Sequence, residues 1–211
     1  MKRKIDKKAI LDLLEKEYKG TKTALNYETP FELLIAVILS AQCTDVRVNF
    51  VTKRLFPKYN TPQKLGAVPQ EKLENMIHEC GFFRSKSKNI LKTCKLLLTE
   101  YNGIVPDNIK ELMTLPGVGK KTANVIVNIV YGVPAIAVDT HVFRVSKRLG
   151  LAKGKDVVEV EKELMKAIPK SKWGEAHHWL IWHGRKVCKA RKPLCSECVL
   201  NEVCTFSEKM L

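Results

Sequence analysis

Apolar residues recur along this chain at intervals of three and four, and Gly, Pro, Thr and Asp interrupt them where helices begin and end. The spacing predicts a first helix over residues 6–19, with Ile10, Leu13 and Leu14 on its apolar face and Gly20 ending it. Thr29-Pro30 reads as an N-cap followed by proline at the first helical position. The segment from Phe31 to Leu39 is almost wholly apolar, which predicts a central buried helix. Thr44-Asp45, Thr61-Pro62 and Val68-Pro69 start three more; the last of these carries Leu73, Met76, Ile77 and Cys80 and stops at Gly81. A longer pattern runs over 86–101, Asp107 caps a short helix, and further helices are expected at about 140–149, 157–168 and 172–187, with Pro169 separating the last two. Val125-Ile126-Val127 has strand propensity, but the wider spacing around it is helical. No period-2 strand stands out, so the expected fold class is all-α.

One stretch differs from the rest in carrying candidate chemistry. Leu115-Pro116-Gly117-Val118-Gly119-Lys120-Lys121-Thr122-Ala123 is a glycine-punctuated turn opening onto a helix, with Ala123, Val127 and Val130 at helical spacing. Gly117 and Gly119 allow backbone conformations that a Cβ forbids. The free N–H groups of such a helix start, together with the glycine amides, form an anion site. The positive end of a helix disfavours an ammonium ion, and a lysine that is neutral for part of the time can attack carbon and form a Schiff base. Lys121 is therefore a candidate nucleophile. Asp139 follows eighteen positions later, where a carboxylate can accept a proton or stabilise a cation. A plain alternative stands beside this one: the turn joins two helices, the lysines are solvated, and Asp139 caps the helix beginning at Thr140.

Charge narrows the choice of partner. The chain of 211 residues has 37 basic and 22 acidic side chains and a formal net charge of +15, which favours a polyanion and first of all nucleic acid. The apolar runs are far too short to span a membrane. The Met1-Lys2-Arg3-Lys4 start has no apolar signal core behind it, so secretion is not expected. Of the seven cysteines, Cys43, Cys80 and Cys94 sit within apolar patterns and read as reduced core residues. Cys188, Cys195, Cys198 and Cys204 fall within seventeen residues, a clustering that points to metal. Four thiolates in one loop suit iron or zinc, and the spacing alone does not choose between them. Lys189, Arg191 and Lys192 lie in the same loop and make it a candidate phosphate-binding surface.

The turn, the Val138-Asp139-Thr140-His141-Val142 segment, the stretch from Pro30-Phe31-Glu32-Leu33-Leu34 through Ser40-Ala41-Gln42-Cys43-Thr44-Asp45, and the terminal cysteines together resemble the endonuclease III family of DNA glycosylases. The likeness covers nearly the whole chain. It implies two helical lobes with a DNA cleft between them: a continuous one over 22–134 containing a helix-hairpin-helix, and a discontinuous one from 1–21 plus 135–211 that carries a cluster loop over 188–204. It implies one 4Fe-4S cluster on Cys188, Cys195, Cys198 and Cys204, with zinc as the lesser alternative. Gln42 matches the residue that enters the duplex at the lesion, and Phe82 lies where the family presents an apolar wedge. Gly117, Val118, Gly119 and Lys120 would grip a phosphate, as would Lys189, Arg191 and Lys192.

The implied activity is removal of oxidised pyrimidines, such as thymine glycol, followed by strand cleavage at the abasic site through a Lys121 Schiff base, with Asp139 assisting. Mismatch adenine and thymine glycosylases of related type lack a lysine at the Lys121 position. A non-catalytic DNA-binding module and a zinc-stabilised structural protein are the alternatives from other classes. The expected partner is damaged double-stranded DNA, with no membrane, a monomeric chain and a cytoplasmic, nucleoid-associated location.

Overall fold

The structure, a computed structural model, describes residues 5–210; the Met1–Lys4 start lies outside the described residues. Among them are eleven α-helices and two short 3-10 turns, and no strand. The helices are α1 (Lys7–Glu17), α2 (Pro30–Leu39), α3 (Asp45–Leu55), α4 (Pro62–Gly66), α5 (Gln70–Ile77), α6 (Phe83–Glu100), α7 (Ile109–Leu112), α8 (Lys120–Tyr131), α9 (Thr140–Arg148), α10 (Val157–Ala167) and α11 (Trp173–Lys186). They form two compact units. One is Ala24–Tyr131; the other combines the chain up to Thr23 with Gly132 onward.

Local chemistry sets most helix starts. Thr29, Thr44 and Thr61 each accept a hydrogen bond from the backbone N–H three residues on, and Pro30 and Pro62 occupy first positions where a missing N–H costs nothing. The expected Asp107 cap is corrected: Asn108 caps α7 and accepts from the Glu111 N–H. The long helix α6 begins at Phe83, earlier than its apolar period suggests. It has no side-chain cap, and Phe82 enters it in the left-handed region at φ 45°.

The Ala24–Tyr131 unit is built on α2. All nine residues from Phe31 to Leu39 are buried, and the helix packs against α3, α6 and α8. Helix α6 turns Lys86, Ile90, Thr93, Cys94 and Leu97 inward. Cys80 and Cys94 are core residues as expected. Cys43 is not: it is only half-buried in the loop between α2 and α3, with its thiol beside that of buried Cys80. In the other unit α11 packs against α1 and α9, closing Ile10, Leu14, Val142, Val145, Trp179, Leu180 and Leu200 into one core.

Candidate active site and cysteine loop

In the Ala24–Tyr131 unit a tight turn joins α7 to α8. The Val118 N–H donates to the Leu115 carbonyl at 3.0 Å, with Pro116 second and Gly117 third in the turn at φ 83°. Proline pre-sets the second position of such a turn, and the third requires positive φ, so this is type II chemistry. Helix α6 supports the turn from below. Thr93 Oγ1 donates to the Pro116 carbonyl at 2.9 Å, and a Cβ at Gly117 would meet the Asn89 side chain at 3.2 Å. Gly117 is therefore required on two counts. Gly119 is not in the left-handed region and has open space where a Cβ would go. The conformational role expected for it is thus corrected; an exposed residue that bares its backbone N–H is what remains. Val118 is buried and anchors the turn, while Gly119, Lys120 and Lys121 are exposed. The Ala123 N–H donates to the Gly119 carbonyl, so α8 starts here and Lys121 stands on its first turn.

Two other candidates in this unit share an unusual backbone. Gln42 has φ 52° and Phe82 has φ 45°. Left-handed conformations in non-glycine residues cost energy and persist where the surroundings over-determine them, as at functional sites. Gln42 is exposed, and Phe82 exposes 67% of its surface. An aromatic residue gains nothing in stability from that posture, and Phe82 is no part of the core.

In the second unit Asp139 is half-buried and caps α9, its Oδ1 accepting from the Val142 N–H at 2.8 Å. The plain reading of Asp139 is therefore present, and it fixes the carboxylate orientation while leaving Oδ2 outside the cap. Arg144 Nε donates to the Cys188 carbonyl, and Arg148 donates to the Lys189 and Ala190 carbonyls and lies 3.5 Å from Cys188 Sγ. Lys189, Arg191 and Lys192 are exposed, Lys192 at φ 50°.

All four clustered cysteines line one small recess, walled by Leu149, Val187, Pro193, Leu194 and Phe206. Four thiols lining one apolar recess fit an iron–sulfur cluster, in which each iron takes its own cysteine. Behind them Tyr18 Oη is 3.0 Å from His183 Nδ1, and His183 Nε2 is 3.7 Å from Cys198 Sγ. Burial pushes the His183 pKa down to about 4, so a neutral imidazole links the two.

Family comparisons agree with this geometry. The family model of HhH-GPD superfamily base excision DNA repair proteins matches residues 35–170, and that of the iron–sulfur binding domain of endonuclease III matches residues 188–204. The endonuclease III of Rickettsia prowazekii is 50% identical over 197 residues, 93% of either chain. That of Bacillus subtilis is 52% identical over 200 residues, covering 94% of this chain and 91% of its own. The chain belongs to the endonuclease III family. A solved structure described as a trapped endonuclease III–DNA covalent intermediate matches with TM-score 0.91 and 54% identity, covering 95% of this chain and 96% of the other.

Three residues outside the cysteine loop of this endonuclease III family member contact it without having been singled out in the sequence: Arg144, Arg148 and His183. Arg144 and Arg148 are four apart on α9 and so share a face, a signal available in the sequence. His183 lies among aromatic residues with no local mark of its partners, which are 165 and 15 residues away.

Two outcomes follow from these contacts. Gly117→Ala should lower the melting temperature by about 2–8 °C, since left-handed strain costs roughly 1–2 kcal/mol in a chain of this size, while Gly119→Ala should stay within about 1 °C. Equal melting points would contradict the assignment. Arg148→Ala removes donors to two carbonyls of the cysteine loop, and loss of visible iron–sulfur absorbance under a chelator should run about tenfold faster than in the parent chain, reflecting roughly 1.4 kcal/mol.

Proposed function

We propose that this chain is a bifunctional DNA glycosylase and abasic-site lyase that removes oxidised pyrimidines, such as thymine glycol, from duplex DNA. The observation that carries the proposal is the exposed amine of Lys121 on the first turn of α8, directly after the phosphate-gripping turn. The chain around it is about half identical to endonuclease III proteins. A net charge of +15 supplies the attraction to phosphate.

In the proposed reaction Lys121 Nζ attacks the sugar C1′ and the base leaves with the bonding electrons. Asp139 takes up the amine proton or stabilises positive charge on the sugar, its orientation held by the Val142 N–H. The C1′–O4′ bond then breaks, O4′ leaving as a protonated hydroxyl, and the resulting Schiff base acidifies the C2′ proton. Loss of that proton expels the 3′ phosphate by β-elimination, and the strand is nicked.

Reaching the base requires taking it out of the stack, at a cost of a few kcal/mol. Gln42 offers an amide to the orphaned partner base, and Phe82 supplies an apolar wedge. Gly117, Val118, Gly119 and Lys120 hold a phosphate through backbone N–H groups and charge, fixing register without reading sequence. The cofactor is one 4Fe-4S cluster held by Cys188, Cys195, Cys198 and Cys204. When bound it supplies four iron–thiolate bonds that cross-link the loop, which presents Lys189, Arg191 and Lys192 to the backbone. Action on the chromosome places the protein with the nucleoid.

Borohydride reduces a Schiff base to a stable amine, so incubation with a thymine glycol duplex should give a covalent protein–DNA adduct and a nicked strand, both absent in Lys121→Ala. Base release without an adduct would instead indicate a water nucleophile, and salt-sensitive binding with neither product would indicate a binding module. Phe82→Gly separates strain from function. It should leave melting unchanged or raise stability by up to about 1 kcal/mol, because glycine accepts positive φ, yet lower duplex excision about tenfold. A variant less stable but fully active would contradict the wedge role.

A further inference from the structure

Lys86 is a lysine inside the core of the Ala24–Tyr131 unit, only 5% exposed. Its Nζ donates to the Leu39 carbonyl at 2.8 Å and to the Cys80 carbonyl at 2.7 Å. Leu39 is the last residue of α2, and Cys80 is the last residue of a 3-10 turn. Carbonyls at helix ends have no partner within the helix, and a cation there meets the negative end of the helix dipole. Burial pulls the Lys86 pKa below the ordinary lysine value, yet these two carbonyls replace part of the water the ammonium has lost.

The two carbonyls have a positional meaning. Gln42 comes three residues after Leu39, and Phe82 comes two residues after Cys80. Both are held at positive φ. The Lys86 backbone N–H also donates to the Phe82 carbonyl at 3.0 Å. One residue therefore ties together the segments that present both strained side chains. The tie spans 47 residues of sequence on one side and six on the other.

We propose that Lys86 is a positioning residue for lesion recognition: its buried ammonium fixes the spacing of the Gln42 and Phe82 turns so that both side chains enter the duplex together. The proposal rests on the insertion roles given to Gln42 and Phe82 above. An unstacked base leaves one void, and two side chains fill it only if their separation is set before contact. Strained backbones keep their conformation only when the structure around them leaves no alternative. Methionine, with similar length and no donors, would fill the space of Lys86 but strand two buried carbonyls. Arginine would restore donors to both.

The test compares Lys86→Met, Lys86→Arg and the Gln42→Ala/Phe82→Ala double variant, each shown to be folded by thermal melting. The substrates are a thymine glycol duplex and a single strand carrying an abasic site. Lys86→Met should be trapped by borohydride on the single strand at the parent rate, because no base has to be expelled there. On the duplex its kcat/KM should fall about 10- to 100-fold, with Lys86→Arg recovering to within about threefold of the parent. In the Gln42→Ala/Phe82→Ala background, adding Lys86→Met should change duplex activity less than about twofold, since the side chains it positions are gone. Equal losses on both substrates, or a loss that simply adds to that of the double variant, would overturn the proposal and leave Lys86 a folding residue. If the double variant processes the duplex at the parent rate, the insertion roles themselves fall, and the positioning role falls with them.

Discussion

The inward stripe of α6 is the constraint on which the Ala24–Tyr131 unit depends. Ile90, Cys94 and Leu97 are fully buried, so the helix has one rotation about its axis that keeps them out of water. That rotation also decides what its polar residues reach. Lys86 meets the end of α2, while Thr93 and Asn89 meet the Pro116-Gly117 turn. Apolar burial thus positions hydrogen bonds that no apolar residue makes. The N-terminus of the same helix carries Phe82, so a single rigid element supports Phe82, the Gln42 loop and the turn ahead of Lys121.

Strain is distributed with the same economy. Among the described residues four non-glycine residues have positive φ: Gln42, Phe82, Asn102 and Lys192. Asparagine tolerates that region because its short side chain bonds locally. The other three have no such excuse, and each stands on an exposed loop that the sequence had already marked for contact with DNA. A glycine at those positions would relieve the backbone and remove the side chain together. The chain keeps the side chain and tolerates the cost, which is the pattern expected where function and stability compete.

The cysteine loop solves a different problem. Leu200 anchors it in the core, and the guanidinium groups of Arg144 and Arg148 satisfy the Cys188, Lys189 and Ala190 carbonyls. The loop's Lys189, Arg191 and Lys192 stay exposed. His183, backed by Tyr18, completes the inner wall, and the neutral state of His183 keeps a second positive charge out of a recess already bordered by Arg148.

How much of this was legible depends on how far apart the interacting residues lie. Helix starts at Thr29, Thr44, Thr61 and Asp139 were readable because a cap bonds to an N–H three residues away. Asn108 was missed for its neighbour Asp107, since the two residue types cap equally well and only the backbone shows which one is in the cap position. The turn before Lys121 and the four-cysteine spacing were equally local. By itself the sequence determined the helices, the turn, the candidate lysine that follows it and the cysteine set. Only the tertiary structure decided that Cys43 leaves the core, that Gly119 needs no special backbone, that Gln42 and Phe82 are strained, and that Lys86 joins their loops. Those features arise from contacts between residues far apart in the chain, and one-dimensional spacing holds no record of which distant carbonyl a buried ammonium will find.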